Sequence, residues 1–249
     1  MNMPAPRSSA PLPTDMTALR EAIDAIDGQL ARLIAQRSGL ARAIAEAKKA
    51  AGDSGFGWRP AREIDILRGL ISREPDLDPA LAAAVWRALI AANLAAQGGL
   101  DVVTTLEAAP WAKLAFGSAS ETRILSASEA LMAAKQGART IACLPWPAQA
   151  ESWWVDLLDV SLAGVHVCAA SPQIVANGAP ASLLLAHRAP EASGGDISLL
   201  AGSKAALAGY SGTLLSEQGD LALIQVPGFL DLDEPLEVGV RLIGCYALA

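Results

Sequence analysis

The chain has 249 residues, of which 52% are hydrophobic, and its formal net charge is −7. This length accommodates one large or two modest domains, and the apolar content is sufficient for buried cores. The acidic balance argues against nucleic acid as a partner, because phosphate backbones attract excess positive charge. The charge is uneven, since the first 99 residues hold 12 Lys and Arg against 11 Asp and Glu, and the remainder holds 7 against 15.

The cysteine content and the N-terminus indicate a cytoplasmic protein. Cys143, Cys168 and Cys245 have no metal-ligand spacing, which favours buried, inert thiols in a reducing compartment. Residues 1–13 are rich in Pro, Ser and Ala and lack an apolar segment, so we expect a disordered tail and not a signal peptide. No run of 18 apolar residues occurs, so no membrane partner is expected. The two histidines have no evident triad partners.

The first hundred residues have the apolar spacing of helices joined by short connections. Thr14 or Asp15 is a suitable N-cap for the first helix, and Asp78-Pro79 is a suitable start for the third. The predicted elements are helices over 15–51, 61–73 and 79–97, with a Gly-rich loop over 52–60.

After Gly99 the pattern changes to short apolar runs typical of strands, which predicts an α/β or α+β region. A domain boundary is therefore expected near residues 98–110. The predicted strands are 113–117, 140–145, 164–169, 182–187 and 221–226, and the predicted helices are 127–136 and 202–216.

Arg37 interrupts the apolar stripe of the first helix, between Leu33 and Leu40. A cation on such a face needs an anionic partner, which is either an internal carboxylate or a bound ligand. Lys48 lies within about 20° of Arg37 around the helix and roughly 16 Å further along it. Arg20 lies about 80–100° away from that face, which fits a donor to a second site.

The third helix places Asn93 and Gln97 on its apolar line, and the second helix begins with Arg62-Glu63. Helix-end fraying and a solvated charge pair are the alternative interpretations of these residues. Together the residues describe a pocket with cations, amides and one carboxylate, and without a nucleophile–base pair, metal cluster or phosphate loop. Such a pocket suits a small dicarboxylate and a reaction that needs only orientation and charge stabilisation, with no cofactor or metal.

These residues resemble the all-helical chorismate mutases. The string LREAIDAIDGQLARLIAQRSGLARAIAEAKK at 19–49 is similar to that family's first helix, and the resemblance continues to Gln97. It implies a dimeric three-helix bundle in which Arg37 binds one carboxylate of chorismate and Arg20 reaches the other from the partner subunit. It also implies that Lys48 contacts a carboxylate and the ether oxygen, and that Gln97 donates a hydrogen bond to that oxygen.

The remaining roles follow from the same resemblance. Glu63 would bind the ring hydroxyl, Arg62 would lie next to the substrate, and Asn93 stands near a carboxylate where the family often has serine. Arg59 occupies a position at which the family commonly has an acidic residue.

The second half resembles prephenate dehydratases over 124–147 and 181–200. The family's catalytic Thr-Arg-Phe falls on Ala181, Ser182 and Leu183, so no dehydratase activity is expected. Residues 221–231 are similar to a late strand of the ACT-type regulatory module.

The expectation is therefore a multidomain protein with an all-α bundle and a C-terminal α/β (α+β) region. The resemblance implies chorismate mutase activity in aromatic amino acid biosynthesis. An isochorismate pyruvate lyase, or a non-catalytic or partner-dependent regulatory protein, is the alternative. The predicted segments are a tail at 1–13, the helical domain at 14–99, a degenerate dehydratase-like domain at 110–190 and an ACT-like segment at 191–249.

Overall fold

The computed structural model describes residues 14–52, 57–117, 120–147, 152–175 and 178–249. The chain divides into two compact units, Met1–Asp53 and Ser54–Ala249. The predicted tail, and residues 53–56 of the predicted loop, lie outside the described residues.

The first unit contains one long helix, α1 (Met16–Ala50), as predicted. Asp15 is the N-cap, and its carboxylate accepts hydrogen bonds from the backbone N–H groups of Thr17 and Ala18, each at 3.0 Å. This cap satisfies two of the free N–H groups at the helix start. None of the α1 residues is buried, although the helix carries a complete apolar stripe.

The other two predicted helices are α2 (Pro60–Arg73) and α3 (Pro79–Ala96), and both begin with proline. Asp78 caps α3 by accepting a hydrogen bond from the Leu81 N–H at 2.8 Å. α2 buries Ile64 and Leu67, which lie three residues apart on its core-facing side.

A nine-stranded sheet occupies the described part of the second unit, in the order β2-β1-β3-β5-β4-β9-β6-β8-β7. β1 is parallel to β2 and β3, β4 is parallel to β9, and the other neighbours are antiparallel. The strands are β1 (Asp101–Thr104), β2 (Thr122–Ile124), β3 (Thr140–Pro145), β4 (Val165–Ser171), β5 (Ser182–His187), β6 (Asp196–Ser203), β7 (Thr213–Gln218), β8 (Leu221–Pro227) and β9 (Val240–Ala247).

Helices cover both faces of this sheet. On one face, α5 (Ala127–Gln136) and two short 3-10 helices (Trp153–Leu158 and Val160–Leu162) bury their apolar side chains. On the other face, α4 (Ala109–Phe116) packs together with Trp58 and Leu94. The fully buried strands alternate their side chains between these two cores, as expected for a sheet covered on both sides.

The helix over 127–136 and four of the five predicted strands are confirmed, at 140–145, 164–169, 182–187 and 221–226. The strand predicted over 113–117 is wrong, because these residues end α4. The helix predicted over 202–216 is also wrong, since only the single turn α6 (Lys204–Leu207) is helical and β7 follows.

The sheet includes strands from both sides of residue 190, because β9 pairs with β4 and also with β6. The division at 190/191 stays a prediction. By length and composition alone, α3 is one helix that could cross a membrane. This is weak evidence for a membrane-spanning helix, since Arg87 in the middle of α3 forms an ion pair with Glu63 of α2.

Candidate active site

Glu63 and Arg87 form a buried ion pair between α2 and α3. Glu63 lies in the first turn of α2, and the Arg87 Nη1 donates to its Oε2 at 2.8 Å. The two side chains are only 6% and 12% exposed, respectively. Burial raises the pKa of Glu63 more strongly than the Arg87 cation lowers it. The hydrogen bond from Arg87 occupies Oε2, and no hydrogen bond to Oε1 occurs among the described residues.

Arg87, the partner of Glu63, is not among the residues predicted from the sequence. The signal was present, because Arg87 is the only charged residue between Pro79 and Ala96. A lone charge in a helix that is otherwise almost entirely apolar requires a partner on a neighbouring element. An internal ion pair is one of the two alternatives for Arg37, and the structure has such a pair at Arg87.

Arg59 and Arg62 are both exposed, and Arg59 forms an ion pair with Glu191. Arg59 Nε donates to Glu191 Oε2 at 2.9 Å, and Arg188 donates to the other oxygen of Glu191 at 2.5 Å. Arg59, which replaces an acidic residue common in the resembling family, is thereby held by the carboxylate that follows β5. Nothing in the described structure tests the predicted role of Arg62 beside a substrate.

Asn93 and Gln97 are half-buried at the end of α3, where Gln97 is the C-cap. Arg139 fixes this end by donating to the Gln97 carbonyl at 3.2 Å and to the Gly99 carbonyl at 2.8 Å. A β-carbon on Gly57 would lie 3.0 Å from Gln97 Oε1, so glycine leaves room for this amide. The Arg139 contacts show that the helix end is anchored, which argues against simple fraying.

Three predicted residues lie on α1, which runs without interruption and so preserves their predicted spacing. Arg20 is exposed, whereas Arg37 and Lys48 are half-buried. Arg37 Nη1 is buried and has no hydrogen-bond partner among the described residues. This finding agrees with a cation that requires an anion, and the specific roles of all three residues stay predictions.

The three thiols offer no alternative nucleophile in the described part of the chain. Cys143, Cys168 and Cys245 are buried, and burial raises the pKa of each thiol, to about 11, 12 and 12, respectively. These thiols therefore stay protonated at neutral pH, and a protonated thiol is a weak nucleophile. The described residues include no group of His, Cys, Asp and Glu side chains suited to a metal ion.

The described helices thus carry two kinds of candidate residue, cations on α1 and a buried acid with two half-buried amides on α2 and α3. The family model of chorismate mutase type II matches residues 19–98. The match covers about a third of the chain and contains all seven predicted site residues. No curated protein and no solved structure matches the chain.

Proposed function

We propose that this protein is a cytoplasmic chorismate mutase, which converts chorismate to prephenate on the route to phenylalanine and tyrosine. The observation that carries the proposal is the match of the chorismate mutase type II family to residues 19–98. The presence of Arg20, Arg37, Lys48 and Gln97 within that segment supports it.

The proposed reaction is an intramolecular rearrangement in which a C–O bond breaks, a C–C bond forms, and no proton is transferred. The protein must hold the enolpyruvyl arm over the ring and stabilise the charge that develops on the ether oxygen. In this proposal Arg37 and Arg20 bind the two carboxylates. Lys48 and Gln97 donate to the ether oxygen, so their contribution grows as the bond breaks.

The proposal gives Glu63 the ring hydroxyl, with Arg62 and Asn93 near the substrate. The Arg87 contact supports it, because that hydrogen bond uses one carboxylate oxygen and leaves Oε1 as an acceptor. Arg87 would act as a positioning residue, since it fixes the carboxylate that would touch the substrate. No cofactor is required for this chemistry.

A homodimer is part of the proposal, with Arg20 shared between subunits. The apolar stripe of α1 supports it, because Ile26, Leu30, Leu33 and Leu40 are 50–68% exposed in the single chain. A stripe of this size on a soluble helix is typical of a surface that another helix covers.

We also propose that the α/β region is a degenerate dehydratase lobe with an ACT-like segment and has no dehydratase activity. Ala181, Ser182 and Leu183 stand in place of the Thr, Arg and Phe of the motif, so its hydroxyl, guanidinium and ring are missing from those positions. Ser182 does carry a hydroxyl, but at the position of the Arg. Ser182 is buried and donates to the Ser171 carbonyl at 3.3 Å, which supports a structural role.

The loss of chorismate absorbance on mixing with purified protein tests the proposed activity. Arg37→Ala should lower kcat/KM by about 10²–10³, because removing one partner of a buried charge pair, here the proposed partner of a substrate carboxylate, costs about 2–5 kcal/mol. Arg32→Ala is the matched control, because Arg32 is an exposed arginine on another face of the same helix.

Circular dichroism of both variants confirms that the helices are retained. Wild-type turnover no faster than the uncatalysed reaction would contradict the proposal. Salicylate release from isochorismate, without turnover of chorismate, would instead identify the pyruvate lyase.

A further inference from the structure

A cavity of about 340 Å³ opens between α3, α4 and the segment that follows β4. Its wall is mainly apolar and built from small side chains on α3, such as Ala84 and Ala88, with Leu114 and Ile174 opposite. Arg87 and Gln173 are among the polar residues of the wall. A concave apolar pocket of this volume with a few polar groups is the usual form of a small-molecule site.

Gln173 provides independent evidence that this cavity binds a ligand. The residue is only 4% exposed, and both amide atoms, Nε2 and Oε1, are buried without a hydrogen-bond partner among the described residues. Its backbone carbonyl accepts from the Ala249 N–H at 3.0 Å, so the segment itself is anchored. Since buried polar groups in native proteins are nearly always paired, a ligand with an acceptor oxygen that reaches this amide satisfies its Nε2–H groups.

Arg87 adds a positive charge to the same wall. One guanidinium nitrogen, Nη1, donates to Glu63, and no other hydrogen bond of this guanidinium occurs among the described residues. Arginine presents five N–H donors, so several of them are available to an acceptor in the cavity. An anionic group is therefore favoured over a cationic one at this end of the cavity.

On α3, the side that faces the cavity lies away from Asn93 and Gln97, two of the residues proposed to bind chorismate. Around α3, Asn93 lies about 180° and Gln97 about 140° from Ala84. A ligand against Ala84 therefore occupies the opposite side of the helix from these two amides. Arg87 connects the cavity to Glu63, because it lines the cavity and also donates to the Glu63 carboxylate.

We propose that this cavity is a second binding site, for a small aromatic carboxylate. Alanine side chains allow a flat ring to approach the helix closely, the Gln173 Nε2–H groups donate to the carboxylate, and Arg87 attracts its charge. A carboxylate bound there competes with Glu63 for the guanidinium and so alters the orientation of Glu63. This last step rests on the proposed mutase function, whereas the binding step does not.

Benzoate titrated into the full chain, followed by calorimetry and ligand-observed NMR, tests the binding step without chorismate. Ala84→Trp fills the cavity from an exposed position, and Val85→Trp places the same ring on an exposed neighbour that does not line it. We expect benzoate to bind wild type and Val85→Trp equally, and Ala84→Trp and Gln173→Met at least tenfold more weakly. Benzyl alcohol should bind at least tenfold more weakly than benzoate.

Absence of benzoate binding, or equal binding to Ala84→Trp, would overturn the proposal. The coupling step has its own readout, namely chorismate turnover with and without benzoate. Inhibition of wild type that disappears in Ala84→Trp supports coupling through Arg87, and inhibition that persists there indicates competition in the substrate site and refutes it. If the protein does not turn over chorismate, the mutase proposal and its coupling fail, and the binding result stands by itself.

Discussion

The same residue type behaves differently in the two units of the chain. Leu30, Leu33 and Leu40 in α1 are at least half exposed, whereas Leu183 and Leu185 in β5 are completely buried. The sheet finds its core within the chain, since helices cover both of its faces. α1 has the apolar periodicity of a core helix, but the described part of the first unit, taken by itself, offers no second element to bury that stripe, which is why we propose that a second copy covers it.

The largest effect should come from breaking the buried pair in the second unit. We expect Arg87→Met to lower the free energy of unfolding by about 3–5 kcal/mol, because it leaves the Glu63 carboxyl buried without its cation. Urea denaturation measures the change.

Lys204→Met serves as the control, because the Lys204–Glu217 pair is 43% and 42% exposed and should contribute about 1 kcal/mol or less. Replacing both Glu63 and Arg87 by Met should recover most of the loss. A single-variant cost below that of the exposed pair would mean that the ion pair does not hold α2 and α3 together.

The next effect concerns α1 and dimer formation. A leucine buried in an interface contributes about 1.5–3 kcal/mol, and a symmetric dimer buries it twice. Leu33→Asp should therefore raise the dimer dissociation constant roughly 100-fold or more. Analytical ultracentrifugation measures this constant.

Arg32→Asp is the control, because it introduces the same side chain about 130° from the centre of the stripe. It should raise the dimer dissociation constant much less than Leu33→Asp. A wild-type protein that sediments as a monomer would show that the α1 stripe is not covered by a second copy.

The smallest effect should be a gain in stability. Gln173→Met removes two unpaired buried polar atoms while keeping the side-chain length, so we expect stability to rise by about 1–3 kcal/mol. Gln225→Met is the matched control, because Gln225 Oε1 accepts from the Tyr246 hydroxyl at 2.9 Å and its loss should destabilise by about 1 kcal/mol. Equal destabilisation by both variants would show that Gln173 is paired in solution.

The helices with clear start signals were predictable from the sequence. Asp15, and Asp78 followed by Pro79, mark the beginnings of α1 and α3, and both helices begin where these residues predict. α4 was missed because its last residues alternate like a strand. Pro110, in the first turn, is the start signal of α4, and Ala112, Ala115 and Phe116 form its buried face.

The strands that escaped prediction depend on distant partners. β9 is completed by pairing with β4 and β6, and β1 by pairing with β2 and β3. Such pairing gives little local signal, whereas helix caps act within a few residues. Among the candidate site residues, the placement of Arg37 on α1 and of Asn93 on α3 was predictable from the helical periodicity. The Glu63–Arg87 contact was not, because it depends on how two helices pack.

The packing of Trp58 determines where this chain can be joined to a segment of another protein. Its ring is fully buried and meets Phe116 of α4 edge-on at 6.0 Å, and its carbonyl accepts from Arg188. The segment that matches the family model, residues 19–98, is therefore not structurally independent of the rest of the chain. Trp58 in its second half packs against α4, which covers the sheet. A chimera that keeps residues up to 98 and replaces the rest would leave the Trp58 ring without Phe116. A chimera joined before residue 57 would keep Trp58 together with Phe116 and Arg188.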